Sequence, residues 1–238
     1  MKNNLAHTAS ADALADALIV CSHLEGFARP ISADYRVTVA VDGGAHYFHQ
    51  RNSAPDYAVG DFDSIDAATL DWLCDLQSRG VTCLQQVPAD KDYSDLELAL
   101  NACENLGVES AHILGAVGGR LDHQLCVMGA LLRSKIPQLQ LIAPDQSISL
   151  LRQGQSLTLP ALPTASAEKN TFSIVCLNPA IVSVAHARWP LDRVQLQPLS
   201  SLGLSNLYKQ DVPTHDQQQQ VPPTITAHTG ELFVITIC

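Results

Sequence analysis

Over roughly the first 145 residues, short β-branched runs alternate with helix-like segments, and this alternation constrains the fold more than any other feature of the chain. The runs are "ALIVCS" (17–22), "RVTVAVD" (36–42), "DYAVGD" (56–61), "VTCLQ" (81–85), "AHILGA" (111–116) and "QLQLIA" (138–143). Between them, "DAATLDWLCDLQSRG" (66–80) begins with an acid suited to a helix N-cap and ends in Gly80. "SDLELALNACENLG" (94–107) places Leu96, Ala99, Leu100 and Cys103 on one helical face and ends in Gly107. "LDHQLCVMGALLRS" (121–134) is apolar at Leu125, Met128, Leu131 and Leu132. Strand–helix–strand alternation predicts an α/β/α domain, a mostly parallel sheet with helices on both faces.

Past residue 146 the pattern changes. "SISLLRQGQSLTL" (147–159) reads as two short strands around a turn at Gly154. "TFSIVCLN" (171–178), "IVSVAHA" (181–187), "VQLQPL" (194–199) and "ELFVITIC" (231–238) are strand-like too, and nothing there reads as a long helix. The expectation is a second domain, mostly antiparallel β, with the boundary near Pro144–Ser147 and the division at 1–145 and 146–238. The Gln-rich run "HDQQQQVPPT" (215–224) is low-complexity and reads as a solvated loop.

The net charge of −10 argues against a general nucleic-acid binder, whose affinity comes largely from cationic neutralisation of phosphates. A small phosphorylated ligand is compatible with it if a metal ion supplies positive charge. The seven cysteines are scattered, odd in number and without a CxxC pair, which favours a reducing compartment over a disulfide framework or structural zinc. No run approaches a membrane span, and "MKNNLAHTAS" lacks an apolar core of the signal-peptide type. The expectation is a cytoplasmic protein with no nucleic-acid or membrane partner.

In a parallel α/β sheet, ligands bind beyond the carboxyl ends of the strands. The second run is followed by Asp42, Gly43 and Gly44; the third by Asp61, Asp63 and Ser64; the fourth by "PADKDYSD"; the fifth by "GAVGGRLDH". Gly-Gly at a helix start lets backbone N–H groups approach an anion with no Cβ in the way. Neither pair fits the Walker or dinucleotide fingerprint. Asp61 and Asp63 are two apart, so an extended backbone would point both side chains one way. Two unit charges ~4 Å apart repel by roughly 4 kcal/mol at an effective dielectric of 20, so a cluster of such acids takes up protons or holds a cation. Oxygen-only ligands favour a hard ion, Mg²⁺ first. With Lys91 and Arg120 on the same edge, the parts suit phosphoryl transfer. A phosphatase or another kinase could use the same acids. A ligand-sensing module without turnover has little need for four carboxylates beside phosphates.

The motifs "VDGGA" (41–45), "PDYAVGDFDSI" (55–65), "DKDYSDLELAL" (90–100) and "GAVGGRLDH" (115–123) resemble, in order and spacing, those of the thiamine pyrophosphokinase family. "RWPLDRVQL" (188–196) and "SLGLSNLY" (201–208) are similar to its C-terminal signatures. The resemblance implies transfer of a pyrophosphoryl group from ATP to the hydroxyl of thiamine, giving thiamine diphosphate and AMP with Mg²⁺. It also implies a homodimer, an ATP-binding α/β domain and a thiamine-binding β-sandwich, with thiamine held between the domains of two subunits. Carried over by motif, Asp42, Asp61, Asp63 and Asp95 become the metal- and phosphate-handling acids and, with Arg120, the catalytic residues. Gly43, Gly44, Lys91, Asp92, Ser94, Gly118, Gly119, Arg120, Asp122 and His123 fall where the family binds ATP. Trp189, Ser205 and Asn206 fall where it binds thiamine, whose cationic ring suits an aromatic face. Asp61 and Asp95 are the candidates to accept the hydroxyl proton. His46, Tyr93 and Ser94 depart from the family's usual Asn, Gln or His, and Thr.

Overall fold

The structure is a computed structural model and describes residues 8–10, 15–27, 34–88, 90, 92–161, 171–209 and 221–237. Strand β1 (Thr8–Ser10) comes first. It is followed by β2 (Ala17–Val20), β3 (Val37–Val41), α1 (Ala45–Gln50), β4 (Tyr57–Gly60), α2 (Ala67–Ser78) and β5 (Cys83–Gln86). Then come α3 (Asp95–Asn105), β6 (Ser110–Leu114), α4 (Leu121–Arg133) and β7 (Gln138–Ile142). The later strands are β8 (Gln146–Leu151), β9 (Ser156–Thr158), β10 (Thr171–Val175), β11 (Ala180–Ala185), β12 (Leu191–Leu196), β13 (Asn206–Leu207), β14 (Thr224–Thr229) and β15 (Leu232–Ile237). The chain divides into two compact units, residues 14–144 and residues 1–13 with 145–238.

In the first unit the strands run in the order β7-β6-β2-β3-β4-β5, every pairing parallel. Alternation along them serves two faces. Leu18, Val20, Ala40 and Ala58 pack with Ala45, Tyr47 and Phe48 of α1 and Leu73 of α2. Ile19, Val39 and Val59 point the other way and are also buried, on the side where α3 meets β3 and β4. The helix ends follow their local chemistry. The Asp66 carboxylate accepts from the Thr69 N–H at 2.7 Å and caps α2. Ser94 and Glu97 form a reciprocal capping box on α3. Gly80 and Gly107 close α2 and α3 with φ of +68° and +66°.

The second unit is a sandwich of two sheets. One has the order β13-β10-β15-β8 and the other β1-β9-β14-β11-β12. All pairings are antiparallel except β1 with β9, which places the first strand of the chain in this unit. Inward residues of both sheets, among them Leu151, Phe172, Val182, Leu196, Ile225 and Val234, share one core. The two strands flanking Gly154 do not pair with each other: β8 pairs with β15, while β9 pairs with β14 and β1. The chain changes sheets at this turn. Strand β14 lies outside the strand-like runs of the sequence. Among the described residues, no helix is long and apolar enough to cross a membrane.

Candidate functional site

Because the first sheet is parallel, the segments after β2, β3, β4, β5 and β6 all leave from one edge. After β3 the chain turns at Asp42, whose φ is +46°, and enters a single 3₁₀ turn, Asp42–Gly44, that leads into α1. Asp42 is among the residue types that tolerate this left-handed conformation best. Its Oδ2 accepts a 2.6 Å hydrogen bond from Ser64 Oγ. Its Oδ1 is buried and has no hydrogen-bond partner among the described residues. An orphaned buried carboxylate oxygen is costly unless something positive meets it.

After β4 come Asp61, Phe62 and Asp63, and here the structure corrects the sequence reading. The segment is not extended. Phe62 has φ +59° and its ring is buried with Leu18, Val20, Ala40 and Leu73. An aromatic residue in this region is strained, and its anchoring in the core holds it there. The backbone therefore turns a corner between the two aspartates, and the Asp63 N–H donates to Asp61 Oδ1 at 3.3 Å. The acids meet through this left-handed corner and not through strand alternation.

The result is a cluster. One carboxylate oxygen each of Asp42, Asp61 and Asp63 lies within 4.8 Å of the others. The Asp61 carboxylate pushes the pKa of Asp63 up, with lost hydration, Asp42 and Asp95 adding to the effect. Asp95, half-buried in the first turn of α3, also acts on the buried Cys21 thiol. Burial pushes that thiol up to about 12, and Asp95 and Asp42 contribute. The four predicted acids thus share one electrostatic neighbourhood. Oxygen-only donors, mutual repulsion and the orphaned Oδ1 suit a hard divalent cation held by Asp42, Asp61 and Asp63.

The other predicted residues divide. Lys91 lies outside the described residues, and Asp92 is exposed. The Ser94 hydroxyl is engaged in the α3 capping box with Glu97. Gly118 and Gly119 form a turn with φ +124° and +67° ahead of α4. Arg120 and Asp122, predicted as separate ATP-binding groups, hold each other through two contacts: Nε to Oδ1 at 3.1 Å and a second guanidinium nitrogen to Oδ2 at 2.6 Å. That pairing pulls the Asp122 carboxyl down to about 2. His123 is exposed in the first turn of α4. His46 is tied into the scaffold: its Nδ1 and that of His49 both lie against the fully buried Thr69 hydroxyl, at 3.1 and 2.8 Å. Gly43 and Gly44 sit inside the 3₁₀ turn, close to the end of β2. Ser22 and His23 stand at that end of β2 and fall outside the motifs that mark the other strand ends. Their position after the first β-branched run was the available signal.

In the second unit Trp189 is 51% exposed, with the Arg188 guanidinium 4.9 Å from its ring centre. Ser205 is exposed, with φ +55°, and its N–H donates to Ser173 Oγ. Asn206, by contrast, is buried. Its Oδ1 accepts from the Trp189 N–H at 3.2 Å, and its Nδ2 donates to the Trp189 carbonyl at 2.8 Å. The amide thus clamps the backbone of the tryptophan segment from both sides.

The comparisons with known proteins agree with this architecture. No curated protein matches the chain. A thiamin pyrophosphokinase family protein from Enterococcus faecalis has a similar crystal structure, with TM-score 0.71 and 23% identity, covering 93% of this chain and 98% of that one. Thiamine pyrophosphokinase from Bacillus subtilis gives TM-score 0.69 at 21% identity over 93% and 98% of the two chains. Thiamin pyrophosphokinase from Geobacillus thermodenitrificans gives 0.68 at 22% over 93% and 97%. At such identities the likeness speaks for the fold. The family model for the catalytic domain of thiamin pyrophosphokinase matches residues 29–143, the stretch that carries the acid cluster. That match, taken with the fold neighbours, supports the thiamin pyrophosphokinase family.

Proposed function

We propose that the protein transfers a pyrophosphoryl group from ATP to the hydroxyl of thiamine. The thiamine oxygen attacks the β-phosphorus, the bond from that phosphorus to the oxygen bridging it to the α-phosphate breaks, and AMP leaves. The observation that carries the reading is the meeting of Asp42, Asp61 and Asp63 within 4.8 Å, inside the segment that matches the catalytic domain. Mg²⁺ held by Asp42, Asp61 and Asp63, with Asp95 beside them, would offset the charge on the phosphate oxygens. Asp61 or Asp95 accepts the proton of the attacking hydroxyl. Lys91 and Arg120 are the cations assigned to the phosphates in this reading, Arg120 by exchanging Asp122 for ATP. Catalysis of this kind is mostly positioning and electrostatics. Residues 146–238 carry the thiamine site at Trp189 and Ser205. A homodimer and a cytoplasmic location belong to the same reading, the first on the resemblance and the second on the scattered, odd set of cysteines.

The direct test is incubation with ATP, Mg²⁺ and thiamine. The expected products are AMP and thiamine diphosphate in equal amounts. ADP as product, or ATP cleavage indifferent to thiamine, refutes the reading.

The clamp on Trp189 gives a second expected result. Asn206→Ala removes both hydrogen bonds to that segment, which costs about 2 kcal/mol of stability for the pair. It raises KM for thiamine while leaving KM for ATP near the wild-type value. Steady-state kinetics with each substrate varied in turn checks it, and equal loss for both substrates counts against the role of Trp189.

A further inference from the structure

We infer that His23 is a ligand of the nucleotide's phosphate chain, a contact that none of the sequence motifs contains. The inference rests on the ATP-dependent reading above. Strand β2 lies between β6 and β3 in the sheet. The chain proceeds from β2 to β3 on one side and later returns to β6 on the other. The crevice beyond the carboxyl ends of β2 and β6 is therefore the topological switch point, where an open α/β sheet takes its ligand.

The backbone entering this crevice from β2 is fixed. The Cys21 N–H donates to the Leu114 carbonyl at 2.8 Å, and the His23 N–H to the Gly115 carbonyl at 3.0 Å, so the ladder with β6 runs on past the end of the strand. The His23 ring lies on the Gly118–Gly119 turn. A Cβ at Gly118 would stand 2.8 Å from the ring's Cδ2, and one at Gly119 would stand 2.6 Å from Nε2. Both glycines have positive φ, so the turn is shaped closely around the imidazole. This turn leads directly into α4, a helix of 13 residues whose first-turn N–H groups favour anions.

The ring is exposed, and neither of its nitrogens has a hydrogen-bond or ion-pair partner among the described residues. Arg120, the predicted phosphate ligand of the same turn, has guanidinium contacts to Asp122. His23 thus offers an uncommitted nitrogen donor on a fixed backbone, one strand over from Asp42. A polyanion bound at the switch point meets it.

The test measures binding of α,β-methylene-ATP, whose bridge resists cleavage, by calorimetry in Mg²⁺. Wild type is compared with His23→Ala, His23→Phe and His23→Gln. Phe keeps a ring on the glycine turn and removes the donor, whereas Gln keeps a donor and removes the ring. The expected result is a Kd raised about tenfold in His23→Ala and His23→Phe, and a His23→Gln value within about threefold of wild type. Thermal melting of His23→Phe should match wild type. Nucleotide binding by His23→Phe equal to wild type overturns the inference and leaves the function standing. A wild-type protein that does not bind the analogue overturns the parent reading with it.

Discussion

Replacing Asp61 or Asp63 by Asn is expected to lower turnover by about two orders of magnitude or more, while the protein stays folded. Asp61 and Asp63, with Asp42, form the cluster in which one carboxylate oxygen of each lies within 4.8 Å of the others. An amide keeps the shape of each side chain but cannot supply the charge. The stability effect has the opposite sign to the activity effect. The folded-state pKa of Asp63 is raised, chiefly by the Asp61 carboxylate. For a carboxyl raised in this way, the favourable contribution is present below the unfolded pKa and is lost as the pH rises through the folded value. At neutral pH without metal the wild-type protein therefore carries the full repulsion, and Asp63→Asn removes it. In EDTA the variant melts no lower than wild type. Adding Mg²⁺ raises the wild-type Tm by linkage and raises the variant's by less. Calorimetry with and without Mg²⁺, paired with an AMP-release assay, checks both halves. Normal melting with near-normal AMP release would sink the metal assignment.

The sequence was most legible where local chemistry and tertiary structure agree. The helix over 66–80 appears as Ala67–Ser78 because Asp66 caps it and Gly80 ends it, both through bonds within the segment itself. The helix over 94–107 appears as Asp95–Asn105 for the same kind of reason. Where pairing decides, the reading ran out. Strand β14 follows a Gln-rich run and two prolines, and although Thr224–Thr229 holds β-branched residues that suit a strand, its apolar positions are only Ile225 and Ala227. It is a strand because Ile225 and Ala227 are buried between β9 and β11. In the same way, two strands around a turn suggest a hairpin, and only the competition between two sheets sends β8 and β9 apart.

The site shows the same division. That acids would gather at one sheet edge followed from parallel topology alone. How Asp61 and Asp63 reach one another did not, because the corner depends on Phe62 being held at positive φ by a core that assembles from distant strands. The pairing of Arg120 with Asp122 is local, at two residues' separation, yet a motif that lists both as ATP-binding groups hides that each is the other's nearest partner. Asn206 was read as a ligand contact from its motif. Its burial and its hold on a segment 17 residues away suit it to positioning Trp189 under the proposed thiamine-binding reading.

The two glycines of "VDGGA" look interchangeable in sequence, and a pair of substitutions separates them. Gly44 has an ordinary helical conformation, φ −59° and ψ −17°, so backbone freedom is not why glycine stands there. On propensity alone, alanine at an interior helical position is favoured by up to about 1 kcal/mol. Space decides otherwise. A Cβ on Gly44 would lie 1.9 Å from the Val20 carbonyl oxygen and 2.6 Å from its carbon, both backbone atoms of a central strand. Neither can rotate away, so the 3₁₀ turn and β2 must separate. Gly44→Ala is expected to destabilise the protein by about 3 kcal/mol or more, a drop in Tm on the order of 10 °C for a chain of this size. At Gly43 the added Cβ would meet the Ser22 hydroxyl at 2.8 Å, a side-chain end that can turn aside. Gly43→Ala therefore costs much less, and combining it with Ser22→Ala recovers part of the loss. Thermal melts of the three variants check the ordering. If the sole role of Gly44 were to let an anion approach the backbone, Gly44→Ala would melt like wild type and lose only nucleotide affinity. A melting curve that collapses before any ligand is added assigns the residue to the packing that brings Asp42 to the end of β2.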